Sequence, residues 1–168
     1  MRRRGPTAMK LSIACVALAV ALAGCAVDGS NLRPGVSTVD EALRGMGPPA
    51  MEFPNANGGR QLVYPRGPLG LQTFMVDVSP DGKVLAVRQV LSDEVFNRIR
   101  PGMTRDQVLR LIGPPGDHME FPRTQRVSWE WRYQDSWRYI AIFSVDFDSN
   151  GIVVSKFSRR LESYDKGK

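Results

Sequence analysis

Apolar and polar positions are patterned most clearly late in the chain, where Tyr139, Ala141, Phe143, Val145 and Phe147 fall on one side of an extended segment. This two-residue period predicts a strand with one buried face, running from Arg138 to Phe147. Val127 to Tyr133 and Ile152 to Ser158 are predicted as its neighbours, with a tight hairpin turn at Asn150-Gly151. Three earlier segments read the same way: Leu62-Val63-Tyr64, Gln72 to Val78 and Lys83 to Val90, with Asp81-Gly82 at the corresponding turn. Helical spacing is found at Val108, Leu111 and Ile112. They follow Thr104-Arg-Asp-Gln107, a capping-box sequence, with Met103 and Val108 placed as a hydrophobic staple. Gly113-Pro114-Pro115 ends that helix. Thr38-Val-Asp-Glu41 opens a weaker counterpart containing Ala42, Gly45 and Met46, where Gly45 costs about 1 kcal/mol relative to Ala. A further helix is predicted from Ser92 to Arg100, capped by Ser92 and with Val95, Phe96 and Ile99 on one face. Only Asp28 to Leu32 precede the first counterpart, so no helix is expected there.

The elements recur in order. Arg33-Pro-Gly35, Gly47-Pro-Pro49, Met51-Glu-Phe53, Phe74-Met-Val-Asp77 and Gly82 match Arg100-Pro-Gly102, Gly113-Pro-Pro115, Met119-Glu-Phe121, Phe143-Ser-Val-Asp146 and Gly151. An ordered set of this kind implies an internal repeat. The expected fold class is α+β: two tandem units of short helices followed by a three-stranded antiparallel meander, with helices packed on one sheet face. The expected segments are a signal peptide at 1–24, a lipidated cysteine and linker at 25–32, repeat units at 33–91 and 92–160, and a polar tail at 161–168.

The amino-terminal segment changes the meaning of the charge. The 168-residue chain carries a formal +6, which invites a nucleic-acid reading. Arg2, Arg3, Arg4 and Lys10, however, precede an apolar run from Leu11 to Ala23, too short to span a bilayer and shaped as a secretory signal. Either Met1 or Met9 serves as its start. Loss of residues 1–24 removes four basic residues and no acid, leaving +2. A nearly neutral exported chain is not expected to bind nucleic acid. Leu22-Ala-Gly-Cys25 resembles the bacterial lipobox, which implies cleavage before Cys25 and attachment of lipid to it. Cys15 leaves with the signal, so no intrachain disulfide is expected. In the lipoprotein sorting rule, Ala26 after that cysteine points to the outer membrane, on the periplasmic side.

Gly102-Met-Thr104 followed by Val108, Leu111, Gly113 and Pro115, then Trp131 and Tyr133, then Val145-Asp-Phe-Asp148 before Gly151 resembles the SmpA/OmlA (BamE-like) family of outer-membrane lipoproteins. The resemblance covers 91–158 well and 33–91 less well, where Gly35-Val-Ser-Thr38 carries an inserted residue. It implies a scaffolding role in β-barrel assembly or envelope integrity, with assembly proteins as partners. The tandem also resembles the β-lactamase inhibitor protein fold, which implies the alternative: a periplasmic inhibitor gripping an enzyme with a two-repeat sheet.

Candidate chemistry is sparse. Asp146-x-Asp-x-Asn-Gly151 matches half of a calcium loop, but Phe157 stands where the bidentate Glu belongs, so a hairpin turn is expected and no metal. His118 has no nearby nucleophile in sequence, and Glu120 and Glu130 form no recognisable acid–base pair, so no catalytic residue, cofactor or small-molecule substrate is expected. Aromatic residues concentrate in the second unit. Core packing accounts for Trp131, Tyr133 and Phe143, whereas Trp137 stands among Asp135, Ser136 and Arg138. Trp137, Arg132, Arg138 and Tyr139 are therefore the candidate surface for a partner or lipid headgroups.

Overall fold

Thr38 and Thr104 open the two longer helices in the same way. The Thr38 hydroxyl accepts from the Glu41 amide at 3.3 Å, and the Glu41 carboxylate accepts from the Thr38 amide at 2.7 Å. Thr104 and Gln107 repeat the exchange at 3.2 and 2.8 Å. Each box satisfies donors that the first helical turn leaves free. The computed structural model describes residues 28–161; the expected signal segment, Cys15, Cys25, Ala26 and the tail from residue 162 lie outside the described residues. The two helices are α1 (Val39–Met46) and α3 (Arg105–Ile112), ending at Gly47 and Gly113 with φ of 83° and 76°. After α1 come β1 (Met51–Pro54), β2 (Arg60–Pro65), β3 (Thr73–Val78) and β4 (Val84–Gln89). After α3 come β5 (Asp117–Phe121), β6 (Arg126–Gln134), β7 (Ile140–Phe147) and β8 (Val153–Arg160), and α2 (Asp93–Phe96) lies between the two sets. Each set is an antiparallel sheet in sequence order. Bridges Thr38–Lys83 and Thr104–Ile152 tie each cap to its own sheet, and register shifts follow Asp77 and Asp146.

The expected α+β arrangement of three-stranded meanders with helices on one sheet face is overturned. The described chain is mostly β, with two four-stranded sheets and helices of only 8, 4 and 8 residues. The added strands, β1 and β5, hold the recurring Met-Glu-Phe motif. β1 is 4 residues long and ends in Pro54, and β5 is exposed throughout, so the three-residue alternation of Met-Glu-Phe is too short to reveal a strand. α2 stops well before Arg100. The Arg98 and Ile99 amides donate to the Val95 and Phe96 carbonyls, a tightening of the i→i+3 type, and Arg100 precedes Pro101, which disfavours helical backbone. Lys156 Nζ donates to the Phe96 carbonyl at 2.7 Å; burial, with Arg100 nearby, pushes that ammonium below its usual pKa. β7 begins at Ile140 rather than Arg138, because Arg138 occupies a left-handed turn position at φ 67°.

The helices serve two sheets. Ala42 and Met46 of α1 pack with Leu62, Tyr64, Phe74, Val76, Val78 and Val84 on one face of the first sheet. The other face of that sheet buries Phe53, Val63, Met75 and Val90 against Val95 of α2 and Leu109 of α3. The opposite side of the same helix layer turns Phe96, Ile99, Val108 and Ile112 into Trp131, Tyr133, Phe143, Val145 and Phe147 of the second sheet. Phe96 stacks on Phe143 at 3.9 Å and meets Tyr133 edge-on at 4.7 Å. The layers thus run α1, first sheet, α2 with α3, second sheet.

Contact with both sheets is close at the end of α3. A Cβ on Gly113 would lie 2.9 Å from Val63 Cγ1 and 3.0 Å from Thr73 Cγ2. Trp131 Nε1 donates to the Gly113 and Pro114 carbonyls at 3.3 and 2.9 Å, holding the second sheet to the same point. Arg110 reaches the Pro54 carbonyl at 3.2 Å and lies 4.6 Å above the Phe53 ring. Gly113→Ala is expected to cost roughly 2–4 kcal/mol in urea unfolding, combining a left-handed backbone penalty with overpacking. Gly102→Ala, at φ 90° with open space around it, meets only the backbone penalty of about 1–2 kcal/mol. Equal losses would mean that the seam between α3 and the first sheet contributes nothing.

Candidate functional site

The β6–β7 hairpin is built around one carboxylate. Asp135 Oδ1 accepts from the Trp137 and Tyr139 amides, both at 2.9 Å, and Oδ2 accepts from Arg160 Nε at 2.6 Å. The Asp135 amide donates to the Tyr139 carbonyl at 2.9 Å, closing the turn. Burial pushes the Asp135 carboxyl up, but the Tyr139 amide, the Arg160 guanidinium and the Trp137 amide together hold it below its ordinary value. The turn presents Trp137 at 74% and Tyr139 at 54% exposure, with Arg160 4.7 Å from the Tyr139 ring. Tyr133, at the hairpin base, donates its hydroxyl to Asp93 Oδ1 at 3.1 Å; burial raises its pKa.

The structure gathers Trp137, Arg138 and Tyr139 in this turn and separates Arg132 from them. Trp137 borders a recess with Asp93, Tyr133, Ala141, Ser158 and Arg160, on the helix side of the sheet. Arg132 stands opposite Ile142 on the other face, at the margin of a groove of about 210 Å³ between the two sheets that the Pro65–Gly70 loop, Pro114–Gly116 and Trp131 also line. Trp131, Tyr133 and Phe143 are each 2% exposed, in the core.

That other face, the back of the second sheet, was missed by sequence reasoning. Met119, Phe121, Ile140 and Phe157 stand exposed on it, spread over three strands, with Ile142 between them. Its centre is polar and internally satisfied: Ser144 Oγ donates to Glu130 Oε1 at 3.2 Å, Arg159 pairs with the same oxygen at 3.6 Å, and Ser155 Oγ donates to Asp146 at 2.6 Å. Counting from the matched register shifts, Glu130, Ser144 and Phe157 correspond to Val63, Met75 and Arg88 of the first sheet. Val63 and Met75 are buried under the helix layer, whereas the second sheet has no layer over its back. The signal was present in the repeat itself, as apolar residues replaced by Glu and Ser at equivalent positions.

The remaining candidates find local roles. The Asp148 carboxylate accepts from the Asn150 and Ile152 amides at 2.9 Å each, as a hairpin turn requires. His118 and Glu120 lie on exposed β5, His118 opposite Trp129. Among the described residues no group of three or more His, Cys, Asp or Glu is placed to hold a metal ion. No described helix is long and apolar enough to cross a membrane.

No family model matches the chain, so the SmpA/OmlA resemblance has no family match behind it. No curated protein matches it either. Among solved structures the chain is similar to a candidate β-lactamase inhibitor protein from Streptococcus mutans, at 12% identity and a TM-score of 0.32, over 75% of this chain and 84% of that one. It is also similar to an extracellular protein containing a SCP domain from Bacillus anthracis, at 14% identity and a TM-score of 0.30, over 81% of this chain and 52% of that one. Likeness at these TM-scores is weak and carries no argument about function.

A carboxyl with a lowered pKa stabilises the folded hairpin above its unfolded value and loses that stabilisation as pH falls through the folded one. The Trp137 and Tyr139 amide protons are therefore expected to titrate together by NMR, with a midpoint below 3.8, the ordinary Asp value. Asp135→Asn should abolish that titration. A midpoint at or above 3.8 would contradict the hydrogen-bonded turn.

Proposed function

We propose that the chain is a non-enzymatic, lipid-anchored envelope protein that grips a protein partner with the back face of its second sheet. One observation carries the reading: an open sheet face on which exposed apolar side chains surround a polar centre whose groups are already paired. Such a face gains from covering its apolar rim without stranding a buried charge. Arg126, exposed on the same face, favours a partner surface with an acidic group beside that rim. The anchor is the lipid on Cys25, expected on the periplasmic side of the outer membrane. The partner class favoured is a folded envelope enzyme, held as an inhibitor holds its target. A second reading, a scaffold for β-barrel assembly, follows from the lipobox-like Leu22–Cys25 and the Gly102-Met-Thr104 motif; it shares the anchor and differs in the partner.

A photoreactive phenylalanine analogue at Phe157 or Met119, used in cells and read by mass spectrometry, tests both readings. A soluble hydrolase adduct that disappears in Phe121→Glu supports the first. A barrel-assembly component with the same dependence supports the second. Absence of any adduct that Phe121→Glu removes would overturn the use of this face.

A further inference from the structure

The turns at the two ends of the sheets differ in character. One end carries the turns at 55–59, 79–83, 122–125 and 148–151, with Asn55, Asn57, Asp81, Thr124, Asp148 and Asn150 and no exposed large apolar side chain. Val36, Leu85 and Phe121 are exposed beside this end, Leu85 and Phe121 at 46% and 45%, but they stand outside those turns. The other end carries the β2–β3 loop and the β6–β7 hairpin. There Leu69 is 75% exposed, Trp137 74% and Tyr139 54%. The two hairpins are neighbours. The Val90 amide donates to the Thr73 carbonyl at the base of the first, and Asp93, three residues on, accepts from Tyr133 at the base of the second. Gly113 touches Thr73 on one side and its carbonyl binds Trp131 on the other, so both hairpins leave toward the C-terminal end of α3.

The described chain begins at the same end. Gly29 lies against Met46, the last residue of α1. The Ser30 amide and hydroxyl hold the Asp28 carboxyl below its ordinary pKa, with a smaller contribution from the positive charge of Arg66, which begins the β2–β3 loop. Cys25 precedes Asp28 by three residues, a reach of at most about 10 Å.

We propose that this end of the molecule rests on a phospholipid surface, with Leu69, Trp137 and Tyr139 seated at headgroup depth beside the acyl chains on Cys25. The inference rests on the reading of Cys25 as the anchor. Trp and Tyr suit that position because their rings are amphipathic and settle at the boundary between acyl chains and water. Arg138, exposed in the same turn, matches the phosphate layer. Asp135 supplies the rigidity that displays the two aromatics, so little ordering remains to be done on contact. The lipid sets the distance, and the two hairpins set the tilt. Beyond Ile140, which adjoins Tyr139, the back face of the second sheet then stands at the side of the molecule, clear of the bilayer and open to a partner.

The test uses the full lipidated protein in phosphatidylcholine vesicles with brominated acyl chains, which quench tryptophan at short range. Cosedimentation and intact mass report the anchor separately from the quenching. Quenching is expected, with at least half of it lost in Trp137→Phe and a smaller loss in Leu69→Ser; both sites are exposed, and circular dichroism should be unchanged. Acylated protein that sediments with vesicles but is not quenched at Trp137 would overturn the proposal and leave the anchor intact. Protein that carries no acyl mass would overturn the anchor and this proposal with it. A protein adduct at Trp137 in cells, without lipid quenching, would also overturn it and assign the turn to a partner.

Discussion

The structure depends on a thin helix layer that must be buried on both sides. α3 has 8 residues and contributes Val108 and Ile112 to one core and Leu109 to another. α2 divides in the same manner, Phe96 facing the second sheet and Val95 bridging toward the first. Helices this short have little stability of their own in water, so their order comes from packing. Here the packing is supplied by two sheets at once. The cost of losing either is shared by both, and Gly113, with no room for a Cβ, marks how closely the first sheet is drawn in.

This constraint separates the roles of two otherwise equivalent sheets. The back of the first is occupied in holding the molecule together, and Val63 and Met75 are fully buried there. The back of the second, free of that duty, carries Glu130 and Ser144 at the corresponding places and keeps its apolar side chains around them. Repetition therefore yields one face covered by the helix layer and one left open. A similar division holds between the ends. Polar turns close the strands at one, while Leu69, Trp137 and Tyr139 project at the other, close to where the chain leads back to Cys25.

Local chemistry was legible in the sequence, and long-range placement was less so. Thr38/Glu41 and Thr104/Gln107 form the reciprocal caps their spacing predicted, and Gly82 and Gly151 close hairpins at positive φ. Ala141, Phe143, Val145 and Phe147 line the buried face of β7 at the expected two-residue spacing, whereas Tyr139, read onto the same face, lies before the strand and is exposed. β1 and β5 were not legible as strands because their alternation spans only Met-Glu-Phe, too short a run to distinguish a strand from a loop. Leu109 lies outside the apolar stripe of Val108, Leu111 and Ile112, since the surface it meets is made by β2 and β3, far back in the chain. Of the candidate site, the exposure of Trp137 could be read from its polar neighbours. The separation of Arg132 from it was also available, because Arg132 alternates with the buried Trp131. The open face across Met119, Ile140 and Phe157 needed the register of four strands.

Equilibrium unfolding in urea, followed by tryptophan fluorescence and far-ultraviolet circular dichroism together, tests the shared helix layer most directly. Trp129, Trp131 and Trp137 all belong to the second unit, whereas circular dichroism reports both sheets. If one layer holds both sheets, the two signals trace a single coincident transition. A circular dichroism transition that precedes any change in fluorescence would show the first sheet unfolding alone and would contradict the account.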